Sequence, residues 1–343
     1  MPRARRELVS LAATPYYHCI SRCVRRALLW GQDSLTGRNY AHRKQWVIDR
    51  LSELAAVFAI DVCAYAVMSN HYHLVLRVDT ARAEGWTHED IIERWQALFH
   101  LPLLVERYHK AEPQGQAEIE TAQGIVEQWR TRLTDMSWLM RVLNESLARR
   151  ANAEDGCTGR FWEGRFKSQA LLDEAAVLTC MSYVDLNPIR AGIAERPETS
   201  EFTSIQQRLR EGQEDHAASS AHQSPGPVET PASLGPRLMP LVCQRDDAHA
   251  NAIGFTAAAY LELVDWAGRQ VRDDKRGCIP ADVPPILSRL GLAPDGYLRH
   301  VGGNTGKSHS VVLGHIDHIR HVAAKLGRGF FKGLGQAQML YLT

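Results

Sequence analysis

Apolar residues recur along this chain at two periods, and the switches between them mark out its elements. Residues 15–26, PYYHCISRCVRR, are rich in aromatic and β-branched side chains and end in basic ones, which predicts a strand. Between 39 and 60 the apolar positions Trp46, Val47, Leu51, Leu54, Ala55 and Phe58 follow the helical repeat. DVCAYAVM (61–68) is strand-like again, Ser69 and Asn70 can turn it tightly, and HYHLVLRV (71–78) alternates, so the order is strand, helix, hairpin. In that last strand Tyr72, Leu74, Leu76 and Val78 share a core face, while His71 and His73 share the other, expected to be an open sheet surface.

Residues 87–151 read as helices. Thr87 is an N-cap for HEDIIERWQALF, an acidic polar stretch follows, and in MSWLMRVLNESLARR the residues Trp138, Leu139, Val142, Leu143 and Leu147 lie on one face. A further strand, GRFWEGRFKSQALL (159–172), precedes a helix opened by Asp173, DEAAVLTCMSYVDL, which stops near Asn187 and Pro188. From about 207 to 250 the composition turns to Gln, Ser, Pro, Glu and His, too polar to bury a core, and reads as a flexible linker. Three helical patterns follow, in FTAAAYLELVDWAGRQV, PADVPPILSRLGL and SVVLGHIDHIRHVAAKL. The organisation expected is an α+β domain over 1–206 with a helical insertion at about 80–135, the linker over 207–250, and a small all-helical accessory domain over 251–343.

Composition narrows the class without naming a function. At 343 residues, 45% hydrophobic and 23% charged, the chain is an ordinary globular one, and no run approaches the ~18–20 apolar residues of a membrane span. The basic N-terminus lacks the apolar segment of a signal peptide, and seven irregularly spaced cysteines fit free thiols in a reducing compartment, so a cytoplasmic location is expected. The net charge of +1 hides a segregation: residues 1–50 hold ten Lys and Arg against three acidic residues, and residues 84–135 hold ten acidic residues against five basic ones. Such a basic stretch suits phosphates and equally suits a solvated face without a partner.

Candidate chemistry gathers at two places. His71 and His73 lie two apart on a strand, within reach of one ion, although histidine pairs are more often structural or solvent-facing than ligating. Tyr183 and Asn187 are four apart, hence neighbours on one helical face, and set a phenolic hydroxyl beside an amide oxygen able to ligate a hard cation. Together they read as a Lewis acid site beside a candidate nucleophile for a phosphodiester. Plain alternatives are a tyrosine ring packed in the core and a simple helix stop at LNP. VGGNTGKSHS (301–310) is no P-loop, because Val301 stands where the first Gly is required and no apolar strand precedes it. His315, His318 and His321 follow a helical stagger and read as a solvated face.

VMSNHYHLVL, then FWEGRFKSQALLDE, then MSYVDLNPIRAGI resemble, in order and spacing, the single-tyrosine HUH transposases, and most closely the REP-associated tyrosine transposase branch. The resemblance covers roughly residues 14–205. It implies a ferredoxin-like antiparallel sheet with helices on one face, His71, His73 and Asn187 as ligands of Mg2+ or Mn2+, and Tyr183 as nucleophile on single-stranded DNA. A 5′-phosphotyrosine and a free 3′-hydroxyl would result, and reversal would rejoin strands without ATP. The implied partner is DNA with hairpin-forming palindromic repeats, bound by a monomer or homodimer. Arg22, Arg25, Arg26, Arg160, Arg165 and Lys167 are the candidate phosphate contacts, whereas Phe161, Trp162 and Phe166 are better read as core than as base-stacking platforms. The long acidic insertion and the C-terminal domain depart from the minimal family pattern. Two other functions remain open on these residues: a metal-dependent phosphodiesterase using water, and a non-catalytic captured transposase that binds repeat DNA.

Overall fold

The computed structural model describes residues 10–24, 37, 39–220, 235–242, 251–271, 287–288, 290–301, 310–329 and 331–342. β1 (Tyr16–Arg22), α1 (His42–Val57), β2 (Ile60–Val67) and β3 (His71–Val78) reproduce the strand, helix, hairpin order read from periodicity. Helices α2 (Thr80–Glu84), α3 (His88–Gln96), α4 (Leu103–His109), α5 (Gln116–Leu133) and α6 (Met136–Glu154) precede β4 (Lys167–Leu171). Then come α7 (Glu174–Asp185), the single turn α8 (Asn187–Arg190) and α9 (Ser204–Ser220). Last are α10 (Ala257–Val271), α11 (Pro294–Val301), β5 (Val312–Leu313), α12 (Ile316–Lys325) and α13 (Leu334–Leu340). Among the described residues no helix is long and apolar enough to cross a membrane.

The result is a mixed α/β fold around a five-stranded sheet in the order β2-β3-β1-β4-β5. The first four strands pair antiparallel and β5 runs parallel to β4. One face lies against α6: Tyr72 donates to Asn144 Oδ1 at 2.7 Å, and the Asn144 amide donates to Ser21 Oγ at 3.0 Å. Arg43, wholly buried on α1, pairs with Glu154 and Asp155 and ties α1 to the end of α6. Phe161 and Phe166 are buried and Trp162 is half-buried, donating to the Asn144 carbonyl at 2.8 Å, so these aromatics are core as read.

The opposite face differs from expectation. It is covered by α7, which packs on β2, β3 and β4. Ala66 lies in register beside His73 and leaves room for that helix. EAAVLTCMSYVD is apolar almost all round, and nearly every α7 residue is buried. A helix without a polar stripe needs cover on both sides. The sheet supplies one side, and the C-terminal segment, through α10 and α11, supplies the other.

This packing corrects the expected domain boundaries. The segment from 251 is neither all-helical nor separate: β5 extends the same sheet, and Tyr260, Leu263, Tyr297 and Val301 belong to the same apolar core as β1 to β3. Gly268 brings α10 so close to α7 that a Cβ there would meet Leu186 at 3.0 Å. The linker expected from 207 begins later, because α9 continues to Ser220. Met239 then donates its N–H to the Val62 carbonyl at 2.8 Å and closes the outer side of β2. The strand expected over 159–172 is only β4, preceded by one isolated bridge between Cys23 and Trp162.

A buried carboxylate fastens the C-terminal segment to α7. Asp185 is fully buried and accepts from Tyr260 at 2.6 Å, from the Ile205 N–H at 3.0 Å and from the Ser204 hydroxyl. Burial pushes its carboxyl from an ordinary value of 3.8 up to about 6, although the donors from Ser204 and Tyr260 oppose the rise. Because the folded value lies above the unfolded one, this group's contribution to stability is complete below pH ~4 and is lost as pH rises through ~6. Asp185→Asn removes that dependence. The stability difference between wild type and variant, from urea unfolding, is therefore expected to change by about 2 kcal/mol between pH 4 and 7, with the wild type relatively stronger at pH 4. A difference independent of pH would show that the carboxylate is not buried in this way.

Candidate active site

On the α7 side of the sheet, β1 and β3 bring three imidazoles together. His18 Nε2 and His73 Nδ1 are 2.9 Å apart, and their rings stack at 5.1 Å between centroids. His71 and His73 have ring centroids 4.9 Å apart at 72°. His71 Nδ1 lies 2.6 Å from Asn70 Oδ1, an acceptor, so the imidazole donates from Nδ1. His18 is 4% exposed and His73 only 2%, which replaces the open surface expected for this face; only His71 is half-buried.

Asp173 caps α7 through the Ala176 N–H at 2.8 Å, and the helix delivers Tyr183 against these rings. Its centroid is 5.7 Å from His73 and 6.0 Å from His18, edge-on to both. One turn on, Pro188 at the first turn of α8 suits the helical backbone without needing a donor, and Asn187 is 2% exposed. Arg190 joins the two. Its Nη2 donates to Asn187 Oδ1 at 2.8 Å and to the Tyr183 hydroxyl at 3.2 Å, and the guanidinium lies 4.5 Å over the Tyr183 ring.

The C-terminal segment closes the arrangement. The His300 ring, on α11, is 5.9 Å from Tyr183. A chain of hydrogen bonds orients it: Gln169 donates to Ser310 Oγ at 2.6 Å, Ser310 to Gln336 Oε1 at 2.6 Å, and Gln336 Nε2 to His300 Nδ1 at 2.9 Å. Gln169 itself pairs with His18 across β1 and β4, so the chain begins beside one site histidine and ends at another.

Of the residues singled out in the sequence, His71, His73, Tyr183 and Asn187 converge here. Arg22 lies in register beside His71, Lys167 pairs with Ile20 next to His73, and both are exposed. Arg160 and Arg165 are exposed on the segment that joins the end of β1, where the Glu163 N–H reaches the Arg22 carbonyl at 2.8 Å. Arg25 and Arg26 lie outside the described residues, as do 302–309 of the GKS stretch. His318 and His321 are exposed on α12, as expected, whereas His315 is half-buried, caps that helix and packs edge-on to Tyr341. Sequence reasoning passed over three members. His18 was visible as the histidine of an alternating strand, and Arg190 as the residue one turn beyond Asn187. His300 left no local signal.

Two of these imidazoles are held in a way that suits a ligand. A ligating imidazole is normally held by a hydrogen bond that its other nitrogen donates, and for His71 and His73 that nitrogen is Nδ1, facing Asn70 Oδ1 and His18 Nε2. Among the described residues no group of three or more His, Cys, Asp and Glu side chains is set to hold a metal; the residues that could contribute here are the imidazoles of His71 and His73 and the amide oxygen of Asn187. The neutral donors leave a cation its full charge.

No family model matches the sequence, and no curated protein matches it. A solved structure that it resembles is a REP-associated tyrosine transposase bound to a REP hairpin, 14% identical, covering 70% of this chain and 99% of that one with a TM-score of 0.36. The likeness is a distant one.

Proposed function

We propose that this protein cleaves and rejoins single-stranded DNA at hairpin-forming repeats, with Tyr183 as the nucleophile. The observation that carries this reading is the placement of the Tyr183 ring edge-on to the histidine rings of β1 and β3, with its hydroxyl bonded to Arg190 and Asn187 one helical turn away. The order of strands one to four, β2-β3-β1-β4, with a helix between β1 and β2 and helices between β3 and β4, supports the ferredoxin-like part of the reading. The hairpin substrate comes from the sequence resemblance to REP-associated tyrosine transposases.

In this reading Tyr183 Oη forms a bond to phosphorus and the P–O3′ bond breaks, leaving a 5′-phosphotyrosine and a 3′-hydroxyl. One phosphodiester replaces another, so attack by the 3′-hydroxyl restores a continuous strand without an added energy source. Mg2+ or Mn2+ held by His71, His73 and Asn187 would supply Lewis acid polarisation of the phosphate. His18 orients His73, and Arg22 on β1 and Lys167 on β4 lie on the same side of the histidine strand, where they can draw in the DNA backbone.

A denaturing gel of protein with hairpin-bearing single strands separates the alternatives. A covalent adduct supports strand transfer, cleavage without adduct indicates a water-using phosphodiesterase, and neither indicates a protein that only binds repeats. His71→Ala and His73→Ala are each expected to weaken Mn2+ binding by about 100-fold, and His18→Ala by about 10-fold because only the orientation of His73 is lost. Isothermal titration measures it, and full cleavage in EDTA would remove the metal from the scheme.

A further inference from the structure

Arg190 sits where two requirements conflict. Its guanidinium is bonded to Asn187 Oδ1 at 2.8 Å, yet that oxygen is the third donor of the proposed cation site. A positive charge therefore occupies the oxygen that a divalent cation would take. The Asn187 amide is also buried and held from one side only, since its Nδ2 has no hydrogen-bond partner among the described residues. Arg190 is thus the residue that sets the direction of Oδ1.

Arg190 itself is half-buried and tethered at two further points. Its Nη1 donates to the Val301 carbonyl at 3.4 Å, and its plane stacks on the Tyr183 ring at 4.5 Å. The long bond and the stacked face permit the fork to turn without leaving the nucleophile. A guanidinium fork matches two oxygens of a phosphate better than it matches one amide oxygen.

We propose that Arg190 is a further catalytic residue that couples substrate to cation. Without DNA it holds the Tyr183 hydroxyl and withholds Asn187 from the cation. An arriving phosphate draws the fork onto its own non-bridging oxygens, and Asn187 Oδ1 is released to ligate. The cation then binds more tightly when DNA is present, and DNA binds more tightly when the cation is present, by the same factor. This inference rests on the proposed strand-transfer reading for its substrate, but its central claim concerns the protein and Mn2+ alone.

The test is Mn2+ affinity of the full chain, by titration followed in the electron spin resonance signal, with and without a single-stranded oligothymidylate. In wild type the oligonucleotide is expected to tighten Mn2+ by at least about fivefold, the low end of such coupling. Arg190→Met and Arg190→Gln are each expected to bind Mn2+ about tenfold more tightly than wild type without DNA, the low end of the effect of removing a neighbouring like charge. Both should gain little more from the oligonucleotide, and both should cleave more slowly. The glutamine variant keeps a hydrogen-bonding side chain and serves if the methionine variant does not melt cooperatively. Unchanged or weaker Mn2+ binding in the folded variants overturns the proposal. A wild type that forms adduct alongside such variants leaves strand transfer standing and removes only the coupling. Tighter Mn2+ in the variants with no wild-type adduct on any hairpin does the reverse.

Discussion

Tyr183→Phe is expected to lose covalent adduct and cleavage by at least about a thousandfold while binding hairpin DNA within about threefold of wild type. The substitution removes one hydroxyl and keeps the ring. Its edge packing on His73 and His18 and the stacking of Arg190 persist, because all three involve the ring. The hydroxyl takes with it the 3.2 Å hydrogen bond from Arg190, at a half-buried position, so stability should fall by no more than about 1 kcal/mol. Neighbouring tyrosines offer no substitute. Tyr17 is completely buried, and burial pushes its phenol up to about 12. Tyr65 is buried and donates to Gln207 at 2.9 Å, away from the histidines. Gel electrophoresis under denaturing conditions and a binding titration decide the matter. Retained cleavage in the variant would assign the attack to water.

A chain ending at Ser220 is expected to be insoluble or to melt without a cooperative transition. The sequence alone suggests the opposite, since the polar stretch after 207 reads as a linker between independent parts. In the structure the removed segment covers α7. Its loss would strip one donor from Asp185, remove β5 from the sheet and expose the helix face now packed by α10 and α11. Leu263, Val264, Trp266, Leu292, Tyr297 and Val301 are all buried, and each large apolar side chain contributes about 1.5–3 kcal/mol on burial. Even a few of these match the about 5–15 kcal/mol by which whole domains are stable. Circular dichroism melting of the truncated chain is the measurement. A soluble protein with a sharp transition would mean that the segment shields the core without completing it. Tyr260→Phe is the gentler version, leaving a buried carboxylate short of one donor.

The local elements were legible because their signals are local. Thr87 and Asp90 form the capping box that opens α3, and Asp173 caps α7, as residues of these types do at helix starts. Period-two alternation placed His71 and His73 on one face, and the four-residue spacing placed Asn187 one turn from Tyr183. The covering of α7 also had a signal in its sequence. EAAVLTCMSYVD has no polar face, and an element of that kind cannot border water on one side. Where the cover comes from is another matter. It lies more than seventy residues downstream, beyond a stretch too polar to announce any connection.

By itself, then, the sequence determined the strand, helix, hairpin order of the first eighty residues and the helix that carries Tyr183, which side chains share a face, and that a tyrosine and an amide travel together, while it overran β4 and missed β5 and the end of α9. Tertiary structure decided which faces meet. Strand register put His18 against His73, the turn after α7 carried Arg190 back over Tyr183, and the packing of α11 added His300. The reason is physical: periodicity reports the geometry of one element, set by its own backbone. Register and helix docking are set by the fit of side chains far apart in the chain, which no local repeat records.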